Sequence, residues 1–326
     1  MLHALGRSGL KVSRLGLGCA TFGREIDEEC AFALMDFALD HGITLFDTAE
    51  AYGGGQARVY RREKLGVDDS REVSGEMHSS EKIVGRWLRA RGARDQITLV
   101  TKVTTNFTRE HVREALEASL ERLQTNWVDL YLYHRYDPSV TAEDANDAMN
   151  TVIEAGLARA GGCSNYTAGQ LEAALDASRT GRATRFEAVE FGYNLIQSEN
   201  DLFTVAQRED LGILAYSPLA AGFLSGKYTA QRELVPKGSR FDVIPAHADV
   251  YFSERNFRRV DQLHRLARHA GIPALRLAMA WVLDNPAVTT VLVGARSKEH
   301  LMNALEAEQT AFKAEWLREI AAWDAP

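Results

Sequence analysis

The chain has 326 residues, 45% of them hydrophobic and 25% charged, with a formal net charge of −7. That is the make-up of an ordinary folded enzyme, and a mildly acidic chain has no global electrostatic reason to hold nucleic acid or an anionic membrane. No apolar run approaches bilayer length, and the opening MLHALGRSGLKVS lacks the apolar centre of a signal peptide, so a cytoplasmic protein is expected. Cys19, Cys30 and Cys163 are odd in number and form no CxxC pair, and they read as reduced thiols packed as small hydrophobes.

In chain order, short apolar or β-branched runs alternate with longer amphipathic stretches. HALGRSGLKVS (3–13) reads as a small hairpin ahead of the main fold. RLGLG (14–18) precedes a helix over 27–42 that ends on Gly42, the residue a helix C-terminus prefers. ITLFDT (43–48) leads, after a long loop, to a helix over 79–92. ITLVTKV (97–103) leads to a helix over 108–124, and VDLYLYH (128–134) to one over 141–156. There Thr141 and Asp144 have capping-box spacing, as do Thr167 and Gln170 after LARAGGCSN (157–165). FEAVEFGYN (186–194) precedes a helix over 199–212. ILAYSPL (213–219) precedes a loop and two helices, around 256–271 and 273–285, and AVTTVLVGA (287–295) precedes SKEHLMNALEAEQ.

Eight strand–helix units result. Continuous apolar strands alternating with helices indicate a parallel sheet with a covered outer face. Eight units close into an α/β fold, the (β/α)8 TIM barrel, whose active sites lie at the strand C-terminal ends. A doubly wound sheet with extra units is the other architecture this alternation fits. No composition shift or linker divides the chain, so residues 1–326 read as a single barrel domain with an N-terminal β-hairpin and long loops at the C-terminal face.

Five strands end on groups able to do chemistry: Asp47, Lys102, His134, Ser164 with Asn165, and Tyr216 with Ser217 and Pro218. Singly, each has an ordinary alternative: Asp47 a cap, Lys102 a solvated strand end, His134 a core histidine bonded to a carbonyl. Tyr52 stands in the loop after Asp47, directly before Gly53, Gly54 and Gly55. A phenol with a pKa of about 10 is a poor acid at neutral pH. An ammonium beside it favours the phenolate, a carboxylate holds that ammonium charged, and a histidine can polarise a carbonyl. Such a set suits reduction of C=O, with Tyr52 protonating oxygen. No side chain supplies a hydride, so a nicotinamide cofactor is implied.

The ordered segments FDTAEAYGGG, LVTKV, LYLYHR, GGCSNY, FGYNL, AYSPLAAGFLSGKY and VLVGARSKEHL resemble the aldo-keto reductase superfamily, bacterial in type and NADPH-dependent, over nearly the whole chain. The resemblance implies a barrel that binds NADPH in extended form without a Rossmann domain and reduces small carbonyl compounds. Its catalytic tetrad falls on Asp47, Tyr52, Lys102 and His134. Ser164 and Asn165 match the pair bonded to the nicotinamide carboxamide, Tyr216 the aromatic stacked on the ring, and Ser217, Leu219 and Gly222 the pyrophosphate cradle. Gly294, Arg296 and His300 fall in the segment facing the adenosine 2′-phosphate, with Arg296 the leading phosphate partner.

The chain departs from that pattern in places. Glu190 stands where a glutamine touches the carboxamide; as an anion it would favour the cationic oxidised nicotinamide. The loop from Gly53 to His78 is long, mixes charges and has no core pattern, which reads as a surface insertion or a lid. The stretch 227–253 is placed to fold over the cofactor, with Lys227 and Arg240 available to phosphate. His300, Asn303 and Ala304 replace usual adenine contacts. Phe22, Tyr136 and Phe223 are the candidate substrate walls. Two rival functions stay open: a Schiff-base aldolase using Lys102, and a cofactor-loaded regulatory subunit. GLGCAT lacks the third glycine of a dinucleotide fingerprint, and His264 and His269 are wrongly spaced for a metal.

Overall fold

Ten strands form among the residues described by the computed structural model, which are 2–180, 184–197 and 200–324. Strands β1 (Leu2–Ala4) and β2 (Lys11–Ser13) pair antiparallel as the expected hairpin. The other eight are β3 (Leu15–Gly18), β4 (Leu45–Asp47), β5 (Thr98–Val103), β6 (Val128–Tyr133), β7 (Ala158–Ser164), β8 (Ala188–Gly192), β9 (Gly212–Tyr216) and β10 (Thr290–Gly294). They close into one parallel barrel in sequence order, with β10 returning to β3, so the closed (β/α)8 architecture stands and the doubly wound sheet does not.

Side chains alternate along a strand, and the inward ones here are apolar near the N-terminal ends. Leu45, Val100, Leu130, Leu132, Ala160, Ala188, Leu214 and Leu292 fill the barrel, joined from below by Leu5, Leu10 and Val12 of the hairpin. The plug comes very close to the barrel backbone. Gly6, at φ +53°, would carry a Cβ 2.6 Å from the Gly212 nitrogen, so both conformation and space demand glycine. Two residues further along, on the same inward side, come Asp47, Lys102, His134, Glu190 and Tyr216, and four past Ala160 comes Ser164.

The helices cover the outside and start where the sequence says. Thr108 caps its helix through the His111 N–H, and Asp27 through the Cys30 N–H. Thr167 and Gln170 form a reciprocal capping box, at 2.9 and 3.3 Å. The Thr141 pair does so by half: Asp144 takes the Thr141 hydroxyl instead of its N–H. The helix expected over 199–212 is observed as Asn200–Arg208, and Glu199 lies outside the described residues. Among the described residues no helix is long and apolar enough to cross a membrane. Cys19 and Cys163 are buried as expected, whereas Cys30 is exposed; all three are free.

The stretch from Gly53 to His78 differs from the expectation of a patternless surface loop. It opens as a helix, Gly54–Leu65, whose Arg61 is wholly buried. Arg61 binds Asp69, Glu72 and the Val243 carbonyl, and Arg71 reaches the Asp242 carbonyl at 2.8 Å. On its other side, Val73 and Ser74 donate to the carbonyls of Arg24 and Gly23. The insertion is a strut between two loops at the barrel mouth, held by ion pairs that no hydrophobic period announces.

Candidate active site

Register decides which groups meet. Gly18 pairs with Asp47, Ser164 with Glu190 and Gly192 with Tyr216, so inward residues of successive strands reach one level at the C-terminal end. Lys102 lies at their centre. Its ammonium donates to Asp47 Oδ1 at 2.5 Å and to the Thr48 carbonyl at 3.0 Å, and Glu190 Oε2 is 3.3 Å away. Asp47 is 3% exposed and Lys102 0%, so neither the cap nor the solvated strand end describes them.

Burial would discharge Lys102, but Asp47 and Glu190 outweigh it and hold the ammonium well above the usual lysine range. Burial pushes the Glu190 carboxyl up to about 8, helped by the charge on Asp47 and opposed by Lys102. Burial raises Asp47 as well, against the pull of Lys102. Of the two, Asp47 is the anion, because it accepts the short charge-assisted bond; Glu190 Oε2 lies at ion-pair distance without a hydrogen bond.

Tyr52 stands over this group. The ammonium is 5.1 Å from the centre of its ring, and the ring meets His134 edge-on at 5.3 Å. Burial raises the phenol above its ordinary value and Lys102 pulls it back. Burial and the nearby Lys102 push His134 down to about 3, so the imidazole is neutral at any working pH. Its Nδ1 is buried without a partner among the described residues, unlike a core histidine bonded to a carbonyl.

Asn165, at φ +58°, ties neighbouring strands together. Its amide donates to Ser164 Oγ and to the His134 carbonyl, both at 2.9 Å, while its Oδ1 accepts the Tyr216 hydroxyl at 2.7 Å. Beyond Tyr216 the chain turns through left-handed backbone at Ser217, Ala220, Ala221 and Gly222. A cavity of about 660 Å³ opens above all of this. Every predicted site residue lines it except Lys102 and Ser164, which stand behind its wall with no exposure.

The residues fit a dinucleotide phosphate. A Cβ on Gly294 would meet nothing within 4 Å, and one on Gly222 only the Lys227 ammonium at 3.7 Å, so both glycines face open space. Lys227 and Arg296 share that corner, and neither forms an ion pair among the described residues. Burial and the Arg296 charge lower Lys227, the mark of a corner short of an anion. Arg296 reaches the Gly238 carbonyl at 2.9 Å, and its N–H is accepted by His300 Nδ1 at 3.2 Å. Asn303, Ala304, Leu275 and Met279 extend the cavity as a mainly apolar slot.

Three expectations about the walls fail. Phe22 is fully buried behind the first loop, Phe223 is buried in an aromatic cluster with Tyr228, Phe241, Tyr251, Phe252 and Phe257, and Tyr136 packs edge-on against Tyr166. In their place the mouth carries the polar side chains of Arg24, Glu25, Arg240, His247 and Tyr251, beside the apolar Ile244 and Val250. Glu25, with a side chain 2% exposed, accepts from Arg24 at 2.8 Å and from Arg240 at 3.0 Å, and Arg240 also donates to His247 at 3.2 Å. Of these, sequence reasoning had only Arg240. The signal for Arg24 and Glu25 was position alone, a charged pair just past the end of β3 at the barrel mouth.

The sequence profile of the aldo/keto reductase family matches residues 14–325. The chain belongs to that family. Its relatives include the "Uncharacterized oxidoreductase YrpG" of Bacillus subtilis, 31% identical over 96% of this chain and 93% of that protein. Two further relatives carry the name "Probable voltage-gated potassium channel subunit beta". They come from Arabidopsis thaliana and Oryza sativa, each 31% identical over 93% of this chain and 89% of theirs. This aldo/keto reductase is therefore an oxidoreductase by family.

Proposed function

We propose that the protein transfers a hydride between NADP(H) and an aldehyde or ketone and its alcohol, with Tyr52 as general acid and base. The observation that carries this reading is the buried Asp47–Lys102 pair set against Tyr52 and His134 at the floor of an open cavity. Bound NADPH supplies the hydride. The protein's part is to hold the carbonyl and to move a proton at its oxygen.

Neutral His134 offers one N–H to that oxygen, which fixes and polarises it. Tyr52 then gives its proton to the developing alkoxide, and Lys102 steadies the phenolate left behind. Asp47 keeps Lys102 charged and aimed. Asn165 and Ser164 supply the amide and hydroxyl suited to a carboxamide, and Tyr216 presents the ring. The turn at 217–222 offers backbone to the pyrophosphate, and Lys227, Arg240 and Arg296 offer charge to the 2′-phosphate. The free thiols fit a reducing compartment, the cytoplasm.

A Schiff base needs a neutral amine within reach of substrate, and Lys102 is charged and wholly buried, so an aldolase is disfavoured. The names of the plant relatives support a second reading, a cofactor-loaded regulatory subunit. The test is NADPH consumption with an activated aromatic aldehyde in wild type and Tyr52→Phe. Turnover lost in the variant with cofactor binding intact is the expected result. Equal turnover in both refutes the role of Tyr52. Tight cofactor binding without turnover of a broad carbonyl panel favours the regulatory reading.

A further inference from the structure

Among the described residues Lys102 is the one ammonium against two buried carboxyls. Asp47 from β4 lies 2.5 Å from Nζ and Glu190 from β8 lies 3.3 Å from it. With both carboxyls ionised this floor would carry a net charge of −1 on residues only 2 to 3% exposed to solvent. The other titratable groups facing Glu190 do not cancel that charge. Tyr52 from the loop after β4, Cys163 from β7 and Tyr216 from β9 are all neutral, with titrations raised by burial, and across the floor His134 is neutral too.

We propose that Asp47 and Glu190 hold a single proton between them across the Lys102 ammonium, and that binding an oxidised, cationic nicotinamide expels it, so that NADP+ binding releases a proton which NADPH binding does not. The inference rests on the cofactor reading above. Geometry assigns the proton to Glu190, since Asp47 makes the short bond to Lys102 and Glu190 Oε2 makes no hydrogen bond among the described residues. Glu190 also lines the cavity beside Tyr52, Asn165 and Tyr216, where charge in the cavity is felt directly.

The balance is simple. The Glu190 carboxylic O–H breaks, the proton leaves to solvent, and the carboxylate remains opposite the new cation; no electrons move in this step. Burial and Asp47 set the free carboxyl titrating at about 8, so it is mostly protonated at neutral pH. At an effective dielectric near 20, a unit cation about 5 Å away lowers a carboxyl titration by about two pH units. A carboxyl moved from about 8 to about 6 sheds roughly 0.8 proton at pH 7. Glu190 is thus a positioning residue that couples the cofactor's redox state to pH. Glutamine in its place has no proton to give.

Isothermal titration calorimetry of the full chain with NADP+ and with NADPH, at pH 7 in buffers of different ionisation enthalpy, counts the protons. The 2′-phosphate is common to both cofactors and cancels in the difference. We expect about 0.8 proton more released with NADP+ than with NADPH. The Kd for NADP+ relative to NADPH then tightens on the order of 20-fold between pH 6 and pH 8. In Glu190→Gln the difference in protons vanishes and the Kd ratio is flat with pH. Equal proton counts for the two cofactors in wild type overturn the proposal, as does a difference that survives in Glu190→Gln. Failure of both cofactors to bind overturns the proposal together with the cofactor reading, a result distinct from equal counts.

Discussion

On the cavity floor, Asp47, Lys102 and Glu190 come from three barrel strands and meet because parallel register brings their ends to one level. At the rim, Glu25 and Arg240 meet across 215 residues of chain, each carried on a loop. The floor is buried and nearly neutral, one ammonium against two carboxyls that share a proton. The rim is half open and carries an excess of positive charge, with Arg24, Arg240, Lys227 and Arg296 around a single carboxylate, Glu25. Strands position a group through ladder hydrogen bonds fixed over their whole length. Loops position one only through what they touch at the end, and so the rim needs a strut, which Arg61 and the insertion from Gly53 to His78 supply.

The comparison breaks most visibly at the floor. Removing the central cation in Lys102→Met strands two buried carboxyls and is expected to cost about 3–5 kcal/mol of unfolding free energy. Chemical denaturation measures this, and a loss under 1 kcal/mol would show that the floor is not held electrostatically. Turnover should fall with it, since nothing then stabilises the Tyr52 phenolate.

At the rim the expected effect is on ligands. Arg296→Gln should weaken NADPH binding by about 10- to 100-fold while leaving NADH little changed, because only one of the two carries the 2′-phosphate. Fluorescence titration with both cofactors separates the cases, and parallel weakening of both would move the phosphate site elsewhere. Arg61→Met should act on both at a distance. It loosens the 240–251 segment, so proteolysis within that segment speeds up while the barrel itself stays folded. Uniform protection in both proteins would deny the strut.

Opposite in sign between the two regions are the effects of pH on stability. Glu190 titrates at about 8 in the folded protein against about 4.5 ordinarily. Its contribution is therefore whole below pH 4.5 and lost as pH rises towards 8. His247 at the rim is pushed down to about 4 by burial and by Arg24. Its contribution is whole above pH 6.5 and lost as pH falls towards 4. Thermal midpoints followed from pH 5 to 9 should show Glu190→Gln flattening the alkaline limb and His247→Asn the acid limb. The same limb changing in both variants would contradict the assignment.

The floor was legible in the sequence. Asp47, Lys102, His134, Ser164 and Tyr216 each stand two residues past an inward-facing residue of a strand, and a period of two sends both to the same side whatever else the fold does. The hairpin, the eight units and most helix starts follow from equally local rules: apolar runs, capping side chains, Gly42. Local signals of that kind depend on residues within a turn of one another, and a linear reading sees them.

What tertiary structure alone decided lies on the loops and in the pairings. Nothing beside Phe22, Tyr136 or Phe223 in sequence says that each ring lies away from the cavity, because that depends on how the loops pack: Tyr136 against Tyr166, for example, 30 residues on. Nothing near Arg61 says that it is a buried anchor, since Asp69, Glu72 and Val243 must first be brought to it. Glu190 shows the division most plainly. Its place on the inward side of a strand end follows from period two, while its contact with Lys102, and with it the proton it holds, exists only once β5 and β8 face each other across a closed barrel. Coulomb energy and burial depend on distance in space, and the sequence by itself carries distance only along the chain.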